Sequence, residues 1–406
     1  MKIAIFTDTY FPQINGVVTS TRLLSKELEK RGHQVLIVGP RMPGALRSSN
    51  KVWRFRSVPF PFQKEYRLIS PLSLKLRKFK EKGIDLIHIQ TPFSMGHLGQ
   101  YMSWKHDLPM VHTYHTFWAE YAHYLPFIPT RFKNLVSKVD NLLFSKNFCN
   151  RCHQIIAPSA QMKEKLLEYG VRIPINVIPT GIELEELKGS SDLSFRRNYQ
   201  IGKNKKICIF VGRLGIEKNV YFLLDSFKMI LKQSPDTVLF LAGDGPEREN
   251  MIEYAQKIGV ERNVIFAGYL THNEVFKALH AADVVMFPSK TETQGLSLIE
   301  GFAMGCPAVG INAMGVAYVL ENNMGGFLTE ENLEQYTDKV LLLLNNEKIY
   351  KKKQKEALER AGYFSSASMG DKIERVYEKA IKLKKRLLRN KQNKESYFSG
   401  FFKGNM

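Results

Sequence analysis

The segment SKTETQGLSLIEGFAMGCPAVG, Ser289 to Gly310, holds two carboxylates, Glu292 and Glu300, with seven residues between them. A glycine-containing loop separates them, and a helical pattern begins before the second. Glu292 therefore belongs to a loop that follows the apolar run DVVMF (283–287), and Glu300 to the first turns of a helix. A loop carboxylate accepts hydrogen bonds from hydroxyls, and the backbone N–H groups at a helix start attract phosphate. A ligand with hydroxyls at one end and phosphates at the other is a nucleotide sugar.

Other residues have types and positions that suit the same ligand. The run KICIFVG (206–212) ends in a loop with Arg213 and Lys218. A guanidinium and an ammonium five residues apart can close on a diphosphate from two directions. The alternative is two ordinary exposed cations. The run TVLFLAG (237–243) leads into GDGP, where Gly243 and Gly245 allow backbone to approach a ligand. Near the start, PQINGVVTS places Asn15-Gly16 before a helix, so Gly16 admits either phosphate or a plain turn. The run MVHTY (110–114) opens into HTFWAEYAHYL, which supplies His112, His115, Tyr121, His123 and Tyr124. A histidine here is satisfied structurally or faces a ligand. His115, just past the carboxyl end of its run, is the best placed to do the second.

The elements that would position these residues are short apolar runs alternating with helical patterns, the signature of parallel sheets with crossover helices. The first half offers 2–6, 35–39, 85–89, 110–114, 154–158 and 176–179. The second offers 206–212, 237–243, 263–268, 283–288 and 307–310. A polar stretch, 181–204, separates the two sets. The expected architecture is α/β, with a doubly wound domain at 1–180, another at 181–370, and a basic helix and tail at 371–406. The helix is expected over roughly 368–391, followed by a poorly ordered aromatic and glycine end. Ligands of such folds bind beyond the carboxyl ends of the strands.

Charge is divided unevenly. The net charge of +20 resolves into +15 for residues 1–180, −2 for 181–370 and +7 for 371–406. A basic first half and tail imply an oriented anionic partner, membrane or nucleic acid. No compact nucleic-acid motif with interleaved aromatics is present, which favours anionic membrane lipid. Lys64–Gly83 carries seven cations and two acids, Lys75, Arg77 and Lys78 among them, and Arg131–Phe144 has an apolar helical stripe beside Arg131, Lys133 and Lys138. Ordinary core packing is the alternative for that stripe. No apolar run reaches the roughly 18–20 residues that cross a bilayer. The beginning of the chain reads as a first strand, not as a leader. Four cysteines give no disulfide framework, and Cys149-x-x-Cys152 lacks a second pair for zinc. A cytoplasmic protein is expected and, where the anionic partner is membrane, one attached to its inner face. No D-x-D, H-E-x-x-H, G-x-S-x-G or Walker pattern occurs. A diphosphate would then be neutralised by Arg213, Lys218 and helix starts, with no metal and no cofactor.

Taken together, GRL…EKN, GDGP and ETQGLSLIE resemble the donor site of glycosyltransferase family 4, and the resemblance covers nearly the whole chain. The first half, DTYFPQINGVVTS with HTYHT, the HY pair and IPTGIE, is further similar to bacterial diacylglycerol glycosyltransferases. The resemblance implies a GT-B fold, two Rossmann-like domains facing a cleft with a C-terminal helix crossing back, and a retaining hexosyltransferase. Its donor would be UDP-glucose and its acceptor diacylglycerol. Other family members use UDP-galactose or GDP-mannose, or phosphoinositide-type and soluble acceptors. By the same resemblance Glu300 would hold the ribose hydroxyls, and Glu292 the hexose, helped by N–H groups of Thr293, Gln294, Gly295 and Leu296. Arg213 and Lys218 would stabilise the leaving diphosphate. Gly16 would approach the phosphates, His115 the sugar or acceptor hydroxyl, and Gly268, Tyr269 and Leu270 would border the base. Tyr121, His123 and Tyr124 would serve the acceptor side.

Overall fold

The computed structural model describes residues 1–13, 15–44, 48–59, 67–69, 76–115, 145–183 and 194–403. It forms two compact units: Met1–Ile178 together with Met369–Met406, and Pro179–Ser368. The first unit carries strands β1 (Lys2–Phe6), β2 (Gln34–Pro40), β3 (Val52–Phe55), β4 (Ser57–Pro59), β5 (Arg67–Ile69), β6 (Leu86–Ile89), β7 (Met110–Thr113), β8 (Gln154–Ala157) and β9 (Ile175–Val177). Seven of them make one parallel sheet in the order β3-β2-β1-β6-β7-β8-β9, and β4 pairs antiparallel with β5. These strands read as unbroken apolar runs because helices cover both faces of a parallel sheet.

One of those covering helices comes from the far end of the sequence. Helix Ser366–Lys403 buries Met369, Ile373, Val376, Tyr377 and Ala380 against Ile3, Ile5, Leu24, Leu86 and Val111. Positions three and four apart fall on one helical face, which explains the stripe. Arg31 binds Glu27, Asp371 and Glu374, the last also held by His33. Deeper in, the Tyr377 hydroxyl shares a 2.7 Å hydrogen bond with His88 Nδ1, while His88 Nε2 meets Thr113 Oγ1 at 2.7 Å.

The second unit carries β10 (Lys206–Val211), β11 (Thr237–Ala242), β12 (Val264–Gly268), β13 (Val284–Phe287), β14 (Ala308–Ile311) and β15 (Gly326–Thr329). All are parallel, in the order β12-β11-β10-β13-β14-β15. The period of two along a strand divides its side chains between two cores. Ile207 and Ile209 pack with Phe240 and Phe302, while Cys208 and Phe210 pack with Leu223 and Tyr336.

Three features lie outside the expected pattern. Strand β3 is a short edge strand that includes Arg54, and β4–β5 is a separate two-stranded sheet that includes Pro59. Strand β15 opens on Gly326, whose missing Cβ avoids the Ala308 carbonyl oxygen, and no apolar run of the sequence pointed to it. The last helix also runs past Lys391 to Lys403, through the stretch expected to be poorly ordered.

Candidate functional site

In the second unit the strand order reverses between β10 and β13, and such switch points open a crevice beyond the carboxyl ends of the strands. Arg213 and Lys218 follow β10, and Glu292 follows β13. Lys218 Nζ contacts Glu292 Oε1 at 2.5 Å, with the two side chains 14% and 22% exposed. Opposite charges thus meet, still in reach of solvent, at the reversal. Thr291 Oγ1 donates to the Glu217 carbonyl at 3.2 Å, a second tie between the same two loops.

Neighbouring loops are sewn onto this pair by backbone. Leu214 N–H donates to the Asp244 carbonyl at 3.0 Å, Glu247 N–H to the Leu214 carbonyl at 3.0 Å, and Gly243 N–H to the Gly268 carbonyl at 2.9 Å. A Cβ at Gly243 would strike the Gly212 carbonyl oxygen, and one at Gly245 the Leu214 carbonyl. Both glycines thus have a packing reason: they let the β11 loop lie against the loop that carries Arg213. Beyond β12, Gly268 has φ +71 and Tyr269 is 69% exposed, with Leu270 half-buried beside it.

The Glu292 loop is braced from three sides. Gln294 is buried, and its side chain closes on the backbone of Thr180, accepting at 2.6 Å and donating at 2.9 Å. Its amide is therefore occupied, and what Gln294 offers a ligand is backbone. Gly315 N–H donates to the Glu292 carbonyl at 2.7 Å, and Gly315 has no room for a Cβ against Gln294. Gly295 sits at φ +83, which glycine adopts at little cost. It starts helix Leu296–Ala303, whose Ser297 Oγ donates to the Val211 carbonyl at 2.9 Å. Glu300 is the fifth residue of that helix and half-buried. Arg213, Lys218, Glu292 and Glu300 are thereby gathered at one end of one sheet.

The first unit has its own reversal, between β1 and β6. There Asp8 accepts from Thr91 Oγ1 at 2.6 Å, Ser94 Oγ at 2.7 Å and the Met95 N–H at 2.8 Å. Burial raises its pKa to about 6 against those hydrogen bonds. Asn15 caps helix Gly16–Lys30 by accepting from the Val18 N–H at 3.0 Å, which leaves Gly16 exposed at the helix start. His115 donates from Nε2 to Gln90 Oε1, and burial, reinforced by His112, depresses its pKa to about 3. It is a neutral imidazole in a fixed tautomer.

The sequence did not single out Asp8, Gln90 or Gly315. Gln90, directly after β6, carried a positional signal; Asp8 and Gly315 act through partners far away in sequence. Gln90 Nε2 is buried with no partner among the described residues. Arg77 and Lys78 are exposed. Lys75, Tyr121, His123, Tyr124, Arg131, Lys133 and Lys138 lie outside the described residues. Cys149 and Cys152 are buried free thiols; burial pushes Cys152 up to about 12, which disfavours the reactive thiolate.

The Glycosyltransferase Family 4 model matches residues 14–186, and the Glycosyl transferases group 1 model matches residues 191–361. Over 320 residues, 76% of this chain and 70% of the relative, the chain is 35% identical to the alpha-monoglucosyldiacylglycerol synthase of Streptococcus pneumoniae. The chain belongs to glycosyltransferase family 4. The similarly named synthase of Acholeplasma laidlawii is 31% identical over 323 residues, 76% of this glycosyltransferase and 80% of that protein. Among solved structures, HepE of Anabaena in complex with UDP and glucose aligns with TM-score 0.73 at 18% identity, over 93% of this chain and 99% of that one. A sucrose-phosphate synthase of Thermosynechococcus elongatus aligns with TM-score 0.71 at 19% identity, over 93% and 98%. These likenesses show the fold, which is GT-B with two Rossmann-like units. The glycosyltransferase is an enzyme that depends on a nucleotide sugar, and the reversal at β10–β13 is its candidate donor site.

Proposed function

We propose that this enzyme transfers glucose, with retention and in alpha linkage, from UDP-glucose to the 3-hydroxyl of 1,2-diacylglycerol. The observation that carries the donor half is the Lys218–Glu292 pair at the strand reversal, with Arg213 on the same loop as Lys218. Two cations suit the leaving diphosphate, where negative charge grows in the transition state. Glu292 suits the hexose hydroxyls, and Glu300 the ribose. Retention by double displacement needs two carboxylates about 5–5.5 Å apart across the anomeric carbon. With Glu300 given to the ribose, same-face attack is the better course, and the departing phosphate takes the acceptor proton. His115, neutral and fixed by Gln90, suits a hydroxyl of sugar or acceptor. No metal ion or cofactor enters this scheme.

The acceptor half rests on the two monoglucosyldiacylglycerol synthases and on the charge division. A lipid acceptor places the protein at a membrane surface, and the described residues include no helix long and apolar enough to cross one. We therefore place it on the inner face of the cell membrane, held by cations such as Arg77 and Lys78 against anionic lipid.

One experiment tests donor and acceptor together. The protein is mixed with liposomes containing diacylglycerol and with radiolabelled UDP-glucose, UDP-galactose or GDP-mannose, and the lipids are separated by chromatography. Label from UDP-glucose is expected in a monoglycosylated lipid, with EDTA leaving the yield unchanged. Label from another donor alone replaces glucose, label absent from lipid removes diacylglycerol, and abolition by EDTA removes the metal-free diphosphate site.

A further inference from the structure

Helix Ser94–Lys105 lies in the first unit and has two unlike faces. Met95, Leu98 and Met102 are buried toward the sheet. His97, Tyr101, Trp104 and Lys105 are exposed and recur at spacings of four, three and one, a single stripe down the outer side. Trp104 is 75% exposed, and its ring lies 6.1 Å from that of Tyr101. Lys105 Nζ in turn sits over the Tyr101 ring at 5.6 Å. Lone exposed apolar residues need no explanation, but a contiguous aromatic patch beside a hollow marks an interaction site.

A hollow lies beside this stripe. Its volume is about 580 Å³, and its walls include Ile69, Leu76, Leu98 and Tyr101, with His97 and Lys105. Ligand pockets of roughly 300–1,000 Å³ hold small molecules, and this one is mainly apolar. The chain that supplies Leu76 continues as Arg77, Lys78, Lys80 and Lys82. Lys78 and Lys82 line a second hollow of about 610 Å³ with Ser48, Ser49 and Asn50. Phe79, the neighbour of Lys80, packs its ring 5.5 Å from that of His106, the neighbour of Lys105, which brings the two lysine-bearing segments together. An apolar hollow, an aromatic pair and Lys105 are thus juxtaposed on one helix, with the cation-rich segment 77–82 against its end.

Each of these features fits one layer of a bilayer. Trp and Tyr favour the level of the head groups, where one end of the ring is apolar and the other wet. Cations near an anionic leaflet each contribute about 1 kcal/mol. We propose that the stripe His97, Tyr101, Trp104, Lys105 is the face by which the protein enters lipid, and that the hollow beneath it takes one acyl chain of an anionic phospholipid of the bilayer. Lys105 and Lys80 meet the phosphate, and Trp104 lies among the head groups. This rests on the lipid-acceptor reading but assigns a lipid site separate from the sugar-transfer residues.

The test uses the full chain and its Trp104→Phe variant, with phosphatidylglycerol vesicles whose acyl chains do or do not carry bromine, a short-range quencher of tryptophan. Trp53 is buried and Trp118 is common to both proteins, so the difference between them belongs to Trp104. Bromine is expected to quench the wild-type protein, and most of that loss is expected to vanish in Trp104→Phe. The double variant Tyr101→Glu with Trp104→Glu is expected to bind the vesicles about tenfold more weakly, while glucose transfer to detergent-dispersed diacylglycerol persists. If the protein sediments with vesicles and glycosylates diacylglycerol while Trp104 stays unquenched, the proposed face is wrong and the acceptor reading stands. If Trp104 is quenched and no label enters lipid, the face stands and the acceptor reading falls. A change of oligomeric state in the double variant, with vesicle binding intact, assigns the stripe to a second copy of the chain and overturns the proposal.

Discussion

Both units are parallel sheets whose strand order reverses once, at β1–β6 in the first and at β10–β13 in the second. Beyond the second reversal stands an opposite-charge pair, Lys218 and Glu292, partly exposed, with Arg213 in the same loop as Lys218. Beyond the first stands Asp8, fully buried and holding Thr91, Ser94 and Met95. The backbone offers the same crevice twice. The side chains differ: a partly exposed ion pair stands at one, and at the other the Asp8 carboxylate serves as the cap that helix Ser94–Lys105 does not get from Phe93. Topology thus nominates two places for chemistry, and only the side chains choose between them.

The sharpest way to break that contrast is Arg213→Ala. Turnover is expected to fall by about 10²–10³ with the melting temperature unchanged. Near-normal transfer rates would take Arg213 out of the site.

Acid separates the units next. His112 is buried with its pKa depressed to about 4, and burial likewise depresses His88, His115 and His153 in the same unit. A histidine depressed in the fold stabilises it fully above the unfolded value near 6.5, and that stability is lost as pH falls from 6.5 toward 4. For His112 alone this is about 3 kcal/mol. Asp8 works the other way: its pKa is raised to about 6, so it regains stability as pH falls from 6 toward 3.8, offsetting about one histidine. The sum still favours earlier acid unfolding of the first unit. Hydrogen exchange followed by mass spectrometry at pH 6.5 and 4.5 would show it, and equal protection loss in both units would contradict it.

Asp8→Ala tests the first reversal directly. Three donors lose their acceptor, which is expected to cost about 2 kcal/mol in the first unit. Nucleotide affinity, measured by calorimetry, is expected to stay as it was. A variant that folds with full stability but cannot turn over would make the first reversal a working site and erase the contrast. The smallest expected effect is Gly295→Ala, about 1 kcal/mol from the positive φ that starts helix Leu296–Ala303. Thermal unfolding measures it, and a gain in stability would mean that Gly295 is not held there.

Much of this was legible in the sequence because parallel strands buried on both faces leave apolar runs. Strands β1, β2, β6 to β8, β10, β11, β13 and β14 lie on such runs to within a residue or two. Strand β15 was not legible: its first residue is a glycine chosen for the neighbour it touches. The same limit applies at the site. Arg213, Lys218, Glu292 and Glu300 stand out by charge and position after a strand. Nothing in GDGP says that its glycines pack against the Arg213 loop, nor does TETQG say that Gln294 spends its amide on Thr180. Contacts between residues distant in sequence leave no local pattern to read.

The order in which the chain is made gives the last helix a further consequence. The second unit is one uninterrupted stretch, Pro179–Ser368, whereas the first is assembled from both ends of the sequence. A ribosome finishes the whole of the second unit before it adds Met369, Ile373, Val376, Tyr377 and Ala380. Until then Ile3, Ile5 and Leu86 lack the apolar face that covers them, and His88 lacks its hydroxyl partner. Domains commonly fold as units, from the N-terminal one onward, during synthesis. Here the half that is translated first is the half that closes last.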